Sequence, residues 1–456
     1  MHPSIDIIAA ISTAAGSGAI AVIRVSGNGS IELVNKIFEG KNLTEQQSHT
    51  LHFGNIVSDE KKIDEVVIGL FRNPKSYTGE DIVEISCHGS NFIQQQILQL
   101  LLHHGARNAK PGEFTFRAFI NGKMDLASAE AVADLIAADS ESSHQMAIQQ
   151  MRGGFSNHIK KLRGELIKFA SLIELELDFS EEDVEFANRK QLNDLLTELQ
   201  KAIFDLAESF RLGNVLKIGV NTVIAGRPNA GKSTLLNILL NEERAIVSDI
   251  PGTTRDTIEE TLNIHGVIFR LADTAGLRDT SDVIEKMGVD RTHEKLQLAA
   301  VVIYLFDAAR MDEEEVLSDI DSLNLKDIPV ILAANKSDLM NIELEKKKFP
   351  QLNNLIFISA KESKNIIELK DKLFASVFDT KIHSGNAVVS NVRHYDALMK
   401  TLSAIDDVVK GLNNQSSGEM YALDIRRALD YLGEITGEIT NEDLLDSIFR
   451  NFCIGK

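Results

Sequence analysis

The sequence predicts a multidomain protein with an α+β N-terminal domain, a helical domain, and an α/β domain inserted into the helical one. Strand and helix patterns mix up to about residue 120, and long helical stripes follow. Strand-like apolar runs begin near residue 216, and helical patterns return near residue 382. Because helical sequence flanks the α/β region on both sides, an insertion is the simplest arrangement. The expected boundaries are 1–120, 121–215, 216–381 and 382–456.

Composition and charge limit the classes to which the chain can belong. Hydrophobic residues make up 43% and charged residues 25% of the 456 residues, which is typical of a globular protein with several cores. The formal net charge of -19 argues against a broad basic surface that grips nucleic acid unaided. A local basic patch or a basic partner is compatible with this charge.

The cysteine content and the first residues indicate a cellular compartment. The two cysteines, Cys87 and Cys453, are far apart in the sequence, which argues against a disulfide framework and fits a reducing cytosol. The chain does not start with a charged segment followed by an apolar one, and no apolar run reaches about 18 residues. We therefore expect a cytoplasmic protein without a membrane-spanning helix.

The first 120 residues combine both kinds of secondary-structure pattern. Apolar runs predict strands at residues 19–25, 64–71 and 81–86. Apolar-rich stretches predict helices at residues 31–38 and 91–104. These elements indicate a compact α+β domain.

Three charged residues stand out in or next to this domain. Arg24 interrupts an apolar strand, Glu84 shares a strand face with an apolar neighbour, and Lys123 follows an Asn-Gly pair. From spacing alone, a solvated face or a strand edge is the favoured interpretation, because buried charges are uncommon and need partners. Cys87 and His88 have no second Cys/His pair at zinc spacing, so we interpret them as structural.

Long helices are predicted on both sides of the α/β region. Apolar residues recur at helical spacing within residues 124–210, with breaks at residues 153–154 and in the acidic stretch 180–183. We interpret these stripes as core or helix-partner faces rather than cofactor sites. Beyond the α/β region, helices are predicted at residues 392–412, 419–433 and 441–451.

A glycine-rich stretch at residues 226–233 organises the α/β region. It follows an apolar, β-branched run at residues 220–225 and precedes a helical pattern that starts at Thr234. This order of strand, glycine loop and helix is that of a P-loop, whose backbone N–H groups wrap a phosphate chain at the positive end of a helix. Lys232 can neutralise the β- and γ-phosphates, and the Ser233 hydroxyl can take a Mg2+ position.

Four further stretches follow the glycine loop in a fixed order, most of them at a strand end. Residues 251–256 offer hydroxyls for a metal and a phosphate, and residues 273–276 offer an Asp for the Mg2+ shell and a Gly N–H for the γ-phosphate. Asp338 can accept two hydrogen bonds from guanine that adenine does not offer, and backbone amides at residues 359–361 can contact the guanine oxygen. Five motifs in this order predict a GTPase with a doubly wound α/β sheet.

One position departs from the Ras-type pattern. Ras-type enzymes orient the attacking water with a Gln directly after the Asp-x-x-Gly motif, and here that position is Leu277, which cannot orient water. Hydrolysis must therefore use another group or be very slow. Nearby candidates are Arg278, Asp279, Asp282 and Glu285. An arginine finger from elsewhere or a bound cation can supply the positive charge.

Together these motifs give the chain a close resemblance to the MnmE (TrmE) family of tRNA-modification GTPases. The resemblance extends over essentially the whole chain. Its most specific sign is the C-terminal Phe-Cys-Ile-Gly-Lys tail, which general GTPases lack. The stretches that carry it are residues 111–114, 226–233, 249–256, 273–278, 433–438 and 452–456.

The resemblance implies metal ligands and a water-orienting residue. In this family the G domains dimerise across the nucleotide, with K+ acting where an arginine finger otherwise would. Glu285 matches the family's glutamate that orients water through a second water, which would resolve the missing Gln at Leu277. The implied K+ ligands are Asn229, Ser248, Ile250 and Thr253, and the implied Mg2+ ligands are Ser233 and Thr254.

The motifs and the resemblance also assign a set of GTP-binding residues. They are Asn229, Ala230, Gly231, Lys232, Ser233, Thr234, Ser248, Asp249, Ile250, Pro251, Gly252, Thr253, Thr254, Asp273, Thr274, Ala275, Gly276, Asn335, Lys336, Ser337, Asp338, Ser359, Ala360 and Lys361.

The resemblance further implies a folate site and protein partners. The first domain resembles a folate-binding fold, and its 5-formyltetrahydrofolate contacts would fall on Arg24, Glu84, Lys123 and Lys456. The family forms a homodimer through this domain and works with the flavoprotein MnmG in a heterotetramer. Together they install an aminomethyl or carboxymethylaminomethyl group on C5 of the wobble uridine of certain tRNAs. Because the chain is acidic, we expect the partner to supply much of the tRNA-binding surface.

Two questions stay open at this point. Cys453 is either a thiol nucleophile or general acid in the modification step, or a small apolar residue that anchors the C-terminus near folate. The alternative functions are a ribosome-assembly GTPase switch and a folate-dependent one-carbon transferase with a regulatory GTPase domain. The first alternative would usually bring a basic RNA-binding module, which is not visible in the sequence.

Overall fold

The computed structural model of the chain divides into two compact units. The first unit comprises Met1–Ala137, Ala147–Asp205 and Arg393–Lys456, and the second comprises Ala138–Met146 and Leu206–Val392. None of the helices in the described ranges is long and apolar enough to cross a membrane. The residues described are 6–59, 61–178, 189–241, 260–273, 299–325, 328–340, 342, 346–352, 354–378, 388–414 and 418–456.

A seven-stranded sheet forms the N-terminal part of the first unit. Its order is β3-β4-β5-β6-β2-β1-β7, and the pairs are antiparallel except β1 with β7. The strands are β1 (Ile8–Ile11), β2 (Ile20–Ser26), β3 (Phe38–Glu39), β4 (Thr50–Ser58), β5 (Lys61–Phe71), β6 (Ile82–His88) and β7 (Arg107–Asn108). The helices of this part are α1 (Ser30–Asn35), α2 (Asn91–His103) and α3 (Glu113–Ile120).

One face of this sheet carries the core of the domain. Apolar side chains of α1 and α2, such as Ile31 and Ile97, pack with strand residues such as Ile23 and Ile85. The predicted helix at 31–38 is wrong at its C-terminal end, since α1 stops at Asn35 and Phe38 starts β3. The Phe38 ring occupies the space over Gly54, where a Cβ atom would lie 2.4 Å from the ring. Strand pairing and ring packing therefore override the helical pattern at this point.

Long helices follow the N-terminal sheet, as predicted. They are α4 (Leu126–Ala137), α5 (Glu141–Met151), α6 (Gly154–Asp178) and α7 (Arg189–Ile218). The predicted break at residues 153–154 is confirmed, because α5 ends at Met151 and α6 begins at Gly154. The predicted break at 180–183 lies outside the described residues.

The second unit contains a six-stranded sheet of order β13-β12-β11-β8-β10-β9. Only β9 among these strands pairs antiparallel, with β10. The strands are β8 (Val220–Ala225), β9 (Glu260–Ile264), β10 (Val267–Asp273), β11 (Val301–Asp307), β12 (Val330–Asn335) and β13 (Leu355–Phe357). The helices are α8 (Lys232–Asn241), α9 (Glu313–Ser322) and α10 (Ile366–Val377).

This sheet places the ends of its central strands together. In the parallel registers, Asp273 of β10 lies opposite Ile224, Tyr304 of β11 opposite Ala225, and Asp307 opposite Asn335. The carboxyl ends of β8, β10, β11 and β12 therefore meet at one edge, which is where ligands bind in doubly wound sheets. The predicted α/β class of this region is confirmed.

Helices return after the second unit and complete the first. They are α11 (Val392–Asn413), α12 (Gly418–Thr436) and α13 (Glu442–Phe449). Helix α6 packs along α12. Glu130 of α4 binds Arg393 of α11 through two hydrogen bonds, of 2.9 Å and 2.8 Å. These contacts join segments from the two ends of the chain, and the multidomain class predicted from the sequence is confirmed.

Candidate functional site

The glycine loop starts where β8 ends, and its backbone requires glycine there. Gly226 has a φ of +147°, and a Cβ atom at this position would lie 2.0 Å from the carbonyl oxygen of Leu305. Gly231 has a φ of +103°, and a Cβ atom there would lie 2.3 Å from Nδ2 of Asn335. Any side chain at either position would push the loop away from its neighbours. The loop therefore lies close against β11 and against the end of β12.

The lysine of the loop is directed at the loop's own carbonyl groups. Lys232 Nζ donates to the carbonyl oxygens of Gly226 at 2.7 Å and of Arg227 at 3.1 Å. Helix α8 begins at Lys232, so Ser233 and Thr234 lie in its first turn, and both are exposed. The N–H groups of a first helical turn lack intrahelical partners and point toward the positive end of the helix dipole. This arrangement suits an anion such as a phosphate chain.

Asn335 joins three of the predicted motifs. Its Nδ2 donates to the carbonyl oxygen of Ala230 in the glycine loop at 2.8 Å, and its Oδ1 accepts from the N–H of Ala360 at 2.9 Å. The residue is buried at the end of β12. One amide side chain thus holds the loop that follows β8 and the segment that follows β13 at a common edge of the sheet.

A carboxylate, that of Asp338, lies beside this junction. Ser359 Oγ donates to Asp338 Oδ1 at 2.6 Å. This hydrogen bond holds the pKa of Asp338 below its usual range, and the positive charges of Lys361 and Lys364 act in the same direction. Asp338 is therefore ionised at neutral pH and can accept hydrogen bonds. Ser337 is tied to the same segment, because its N–H donates to the carbonyl of Ile358 at 3.1 Å.

Asp307 belongs to this site, although no sequence motif pointed to it. Asp307 ends the fully buried strand β11, and its Oδ2 accepts from Lys336 Nζ at 2.6 Å. Lys336 has a φ of +65°, so the ion pair holds a residue whose backbone is in the left-handed region. The sequence feature that could have indicated Asp307 is its position as an acidic residue directly after an uninterrupted apolar run.

Several predicted site residues lie outside the described residues. The side chain of Asp273 belongs with them, although its backbone ends β10. The others are Ser248, Asp249, Ile250, Pro251, Gly252, Thr253, Thr254, Thr274, Ala275, Gly276, Leu277, Arg278, Asp279, Asp282 and Glu285.

The described members of the predicted metal sites offer oxygen ligands. Ser233 presents a hydroxyl and Asn229 a side-chain carbonyl, and both side chains are exposed at the glycine loop. Oxygen donors of this kind suit hard cations such as Mg2+. Asn229 has a φ of +63°, in the left-handed region that asparagine tolerates better than most residues. Within the described ranges, no group of three His, Cys, Asp or Glu residues is arranged to hold a metal ion.

A second cluster lies in the N-terminal sheet around Arg24. The antiparallel register places Arg24 of β2 opposite Glu84 of β6, and Arg24 donates to Glu84 Oε1 from Nε at 3.0 Å and from Nη2 at 2.8 Å. The guanidinium carbon lies 5.5 Å from the ring centre of Tyr77 and 5.7 Å from that of Phe114. Tyr77 Oη is hydrogen-bonded to Thr115 Oγ1 at 2.8 Å. Arg24 is thus held by a carboxylate and lies close to two aromatic rings.

The C-terminal tail reaches this cluster. The carbonyl oxygen of Gly455 accepts from Arg24 Nη1 at 3.4 Å and from Ser12 Oγ at 3.1 Å. The carbonyl of Cys453 accepts from the N–H of Gly112 at 3.3 Å, and Cys453 itself is exposed. The tail is anchored by Phe452, which is buried in a cluster with Leu126, Ala129, Leu445 and Phe449.

The remaining two predicted folate residues lie at the margins of this cluster. Lys123 is exposed, and its Nζ donates to the carbonyl of Pro74 at 2.9 Å, in the same loop as Tyr77. Lys456 follows Gly455, and its N–H donates to the carbonyl of Cys453 at 3.4 Å. The backbone therefore brings Lys456 next to Arg24, while the side chain of Lys123 contacts the loop that carries Tyr77.

Two protein-family models match the chain. A family model described as "GTP-binding protein TrmE N-terminus" matches residues 7–123, and one described as "MnmE helical domain" matches residues 126–453. The second match alone spans more than half of the chain. The chain belongs to the MnmE (TrmE) family.

Individual MnmE-family relatives are similar along their whole length. A protein of Cytophaga hutchinsonii named "tRNA modification GTPase MnmE" is 53% identical over 451 residues, covering 99% of this chain and 98% of its own. Proteins with the same name from Christiangramia forsetii and Bacteroides thetaiotaomicron are 52% and 50% identical, each with 99% of both chains covered. Among solved structures, Aquifex aeolicus Era bound to GDP.AlF4- is 26% identical, covering 41% of this MnmE-family chain and 66% of its own, with a TM-score of 0.27.

Proposed function

We propose that this chain is a K+-stimulated GTPase that acts in tRNA modification together with the flavoprotein MnmG. Its reaction is the hydrolysis of GTP to GDP and phosphate, coupled to addition of an aminomethyl or carboxymethylaminomethyl group at C5 of a wobble uridine. The observation that carries the proposal is the junction at Asn335, which links the glycine loop to the segment beside Asp338. The full-length similarity to proteins named tRNA modification GTPase MnmE supports the tRNA part.

The described residues support distinct roles toward the nucleotide. With GTP bound, the first turn of α8 would face the phosphate chain, Lys232 would turn from the loop carbonyls to neutralise it, and Asp338 would accept from the guanine base. Mg2+, when bound, polarises the phosphate oxygens, and Ser233 and Thr254 would hold it. Asn229, Ser248, Ile250 and Thr253 would hold K+. Glu285 would orient the attacking water, the role that a glutamine at the position of Leu277 has in Ras-type enzymes.

The Arg24 cluster supports a site for a tetrahydrofolate. Its cation, carboxylate and two aromatic rings offer a charge and flat apolar surfaces of the kind that a fused-ring, carboxylate-bearing ligand requires. Arg24 and Glu84 would bind 5-formyltetrahydrofolate or a related form, with Lys123 and Lys456 at the margins. Cys453, exposed in the same tail, would act in the modification step.

An exposed apolar strip supports a homodimer through the N-terminal domain. Leu51 and Phe53 are 74% and 70% exposed, and Val67 lies opposite Phe53 in the antiparallel register, so the three share one face of the sheet. Arg24 and Glu84 lie on that same face, because Val67 pairs with Ser86 and Gly69 with Glu84. A second copy would cover this strip beside the folate cluster. A Phe53→Asp variant should then be monomeric by light scattering, whereas Ile367→Asp, at an exposed apolar residue of the second unit, should remain dimeric.

The tRNA role is tested by nucleoside mass spectrometry of bulk tRNA. Cells that lack the protein should lose C5-modified wobble uridines, and the wild-type chain should restore them while Lys232→Ala should not. Unchanged tRNA in the deletion strain would refute the tRNA role, and would move the interpretation to a ribosome-assembly GTPase.

The cation role has a separate test in purified protein. GTP turnover should be faster in K+ than in Na+ buffer, and Asn229→Ala should remove the difference. Equal rates in the two buffers, unaffected by Asn229→Ala, would refute K+ stimulation and leave the GTPase assignment in place.

A further inference from the structure

The side chain of Arg227 leaves the glycine loop and binds two carboxylates of α9. Its Nε and Nη2 donate to the two oxygens of Asp319, at 2.7 Å and 2.9 Å, and its Nη1 donates to Glu315 Oε1 at 2.8 Å. The pairing with Asp319 is the two-point geometry in which an arginine–carboxylate pair is most directional. A lysine at this position would lack the planar fork that this geometry requires.

The two carboxylates are held in place by residues other than Arg227. Asp319 Oδ2 also accepts from the hydroxyl of Tyr304, a β11 residue that is only 2% exposed. Glu315 belongs to a capping box with Asp312 at the start of α9. Arg227 holds the pKa of Asp319 below its usual range, so the carboxylate is ionised at neutral pH. The acceptor pair is therefore part of the rigid frame of the sheet and helix.

The backbone of Arg227 is part of the phosphate-binding loop itself. Its carbonyl oxygen accepts from Lys232 Nζ at 3.1 Å and from the N–H of Ala230 at 3.3 Å. Asn229, the candidate K+ ligand, is two residues further along. A shift of Arg227 would therefore move both the carbonyl that Lys232 contacts and the turn that carries Asn229.

We propose that Arg227 is a positioning residue that fixes the glycine loop to α9, and so sets the places of Asn229 and Lys232. Gly226 fixes the start of the loop against Leu305, and Arg227 fixes its outer side. The part of this inference that concerns Asn229 rests on the proposed K+ function, and the part that concerns Lys232 does not. The side chain of Arg227 is 43% exposed, so its ion pairs are screened by solvent and we expect effects of about 3- to 10-fold rather than complete loss.

The test compares Arg227→Gln, Arg227→Lys, Asp319→Asn and the Arg227→Gln/Asp319→Asn double variant in the full-length protein. Two quantities are measured: the dissociation rate of fluorescent GDP, and the K+ concentration that gives half-maximal GTP turnover at constant ionic strength. Arg227→Gln should raise both by about 3- to 10-fold, with turnover at saturating K+ within about twofold of wild type. Arg227→Lys should give values between those of wild type and Arg227→Gln. The double variant should match the larger single effect, because both substitutions break the same Arg227–Asp319 contact.

The control is Arg426→Gln, which removes the same charge from an exposed ion pair with Glu174 in the first unit. It should leave both quantities unchanged. Wild-type values for Arg227→Gln in both measurements, or single effects that add in the double variant, would overturn the positioning role. If wild type itself shows no K+ stimulation, the proposed K+ function fails, and the GDP dissociation rates still decide the role of Arg227.

Discussion

Asn335 Nδ2 donates to the carbonyl oxygen of Ala230 at 2.8 Å, across 105 positions of sequence. The same side chain accepts from the N–H of Ala360 at 2.9 Å. Both hydrogen bonds are buried, so without Asn335 the carbonyl of Ala230 and the N–H of Ala360 would have no water molecule to bond instead. The glycine loop is thereby linked to the segment that follows β13.

Replacing Asn335 with alanine should weaken nucleotide binding and lower stability together. The change leaves two buried backbone groups without their partner, which costs about 1–3 kcal/mol for each group left unsatisfied. We expect fluorescent GDP to bind at least about 10-fold more weakly, measured by stopped-flow fluorescence. Asn263→Ala is the control, because Asn263 bonds the N–H of Gly266 in the β9–β10 turn. It should reduce stability slightly without changing GDP affinity, and a similar affinity loss in both variants would contradict the role of Asn335.

The Asp338→Asn change should alter base selectivity. A carboxylate accepts from the guanine N1–H and amine, whereas an amide presents a donor that matches the carbonyl of xanthine. A site built to hydrogen-bond one pattern rejects the mismatched one strongly, so GTP affinity should fall by about two orders of magnitude or more. Xanthosine triphosphate should become the better ligand in competition binding. Unchanged preference for GTP would place the base elsewhere.

The Glu130–Arg393 pair should make the stability of the helical part depend on pH. Burial alone would raise the pKa of Glu130, but His394 and Arg393 outweigh it and hold the pKa well below its usual value of 4.5. A carboxyl whose pKa is lower in the folded than in the unfolded protein stabilises the fold above its unfolded pKa. That contribution is lost as the pH falls through the folded value.

The measurement is the free energy of unfolding of wild type and Glu130→Gln across acidic pH. The difference between them should be greatest at neutral pH and should shrink as the pH falls below 4.5. Arg393→Met should cost about 3–5 kcal/mol at neutral pH, because it leaves a buried carboxylate without its two-point partner. A wild-type to Glu130→Gln difference that stays constant with pH would show that the carboxylate charge contributes nothing.

The fold was predictable where one pattern dominates a segment. The run at 220–225 and the observed Val220–Ala225 coincide, and the helix expected at 91–104 is Asn91–His103. Strand Val301–Asp307 was missed because a short, fully apolar run has no period that separates a strand from a buried helix. Strand Thr50–Ser58 was missed because apolar residues lie on both of its faces and hide the alternation.

The candidate site was predictable where its residues follow one another in sequence. The glycine loop of residues 226–233 and the stretches around Asp338 and Ser359 are local motifs whose order carries the information. The contact between Arg24 and Gly455 spans 431 positions, and no spacing rule connects them. Arg227 had no assigned role, because its partners on α9 become neighbours only through the parallel sheet.

The two cysteines should differ sharply in reactivity. Burial raises the pKa of Cys87 to about 11, and the nearby charge of Asp64 adds to the effect, so its thiolate is nearly absent at neutral pH. Cys453 is exposed on the C-terminal tail. Because alkylation requires an accessible thiolate, iodoacetamide should label Cys453 and spare Cys87 in the folded protein. Mass spectrometry of tryptic peptides measures both, and full labelling in denaturant is the control. Equal labelling of the two in the native state would contradict the burial of Cys87.

Gly455→Ala should displace the C-terminal tail from the Arg24 cluster. Gly455 has a φ of +97°, and a Cβ atom there would lie 2.6 Å from the carbonyl oxygen of Ile11. The backbone atoms on both sides cannot yield, so the tail must move and its carbonyl must leave Arg24 and Ser12. Affinity for 5-formyltetrahydrofolate, measured by calorimetry, should fall about 10-fold, because Arg24 loses a hydrogen bond that helps to hold it in place.

Gly105→Ala separates this steric effect from backbone strain. Gly105 has a similar φ of +106°, but a Cβ atom there meets nothing within 4 Å. The control variant should therefore lose stability, by about 1–2 kcal/mol, without losing folate affinity. Equal affinity in Gly455→Ala and wild type would mean that the tail carbonyl contributes nothing to the cluster, and would leave Arg24, Glu84 and the two aromatic rings as the whole of the binding surface there. A loss of affinity confined to Gly455→Ala would instead show that the C-terminal tail and Arg24 form one binding site.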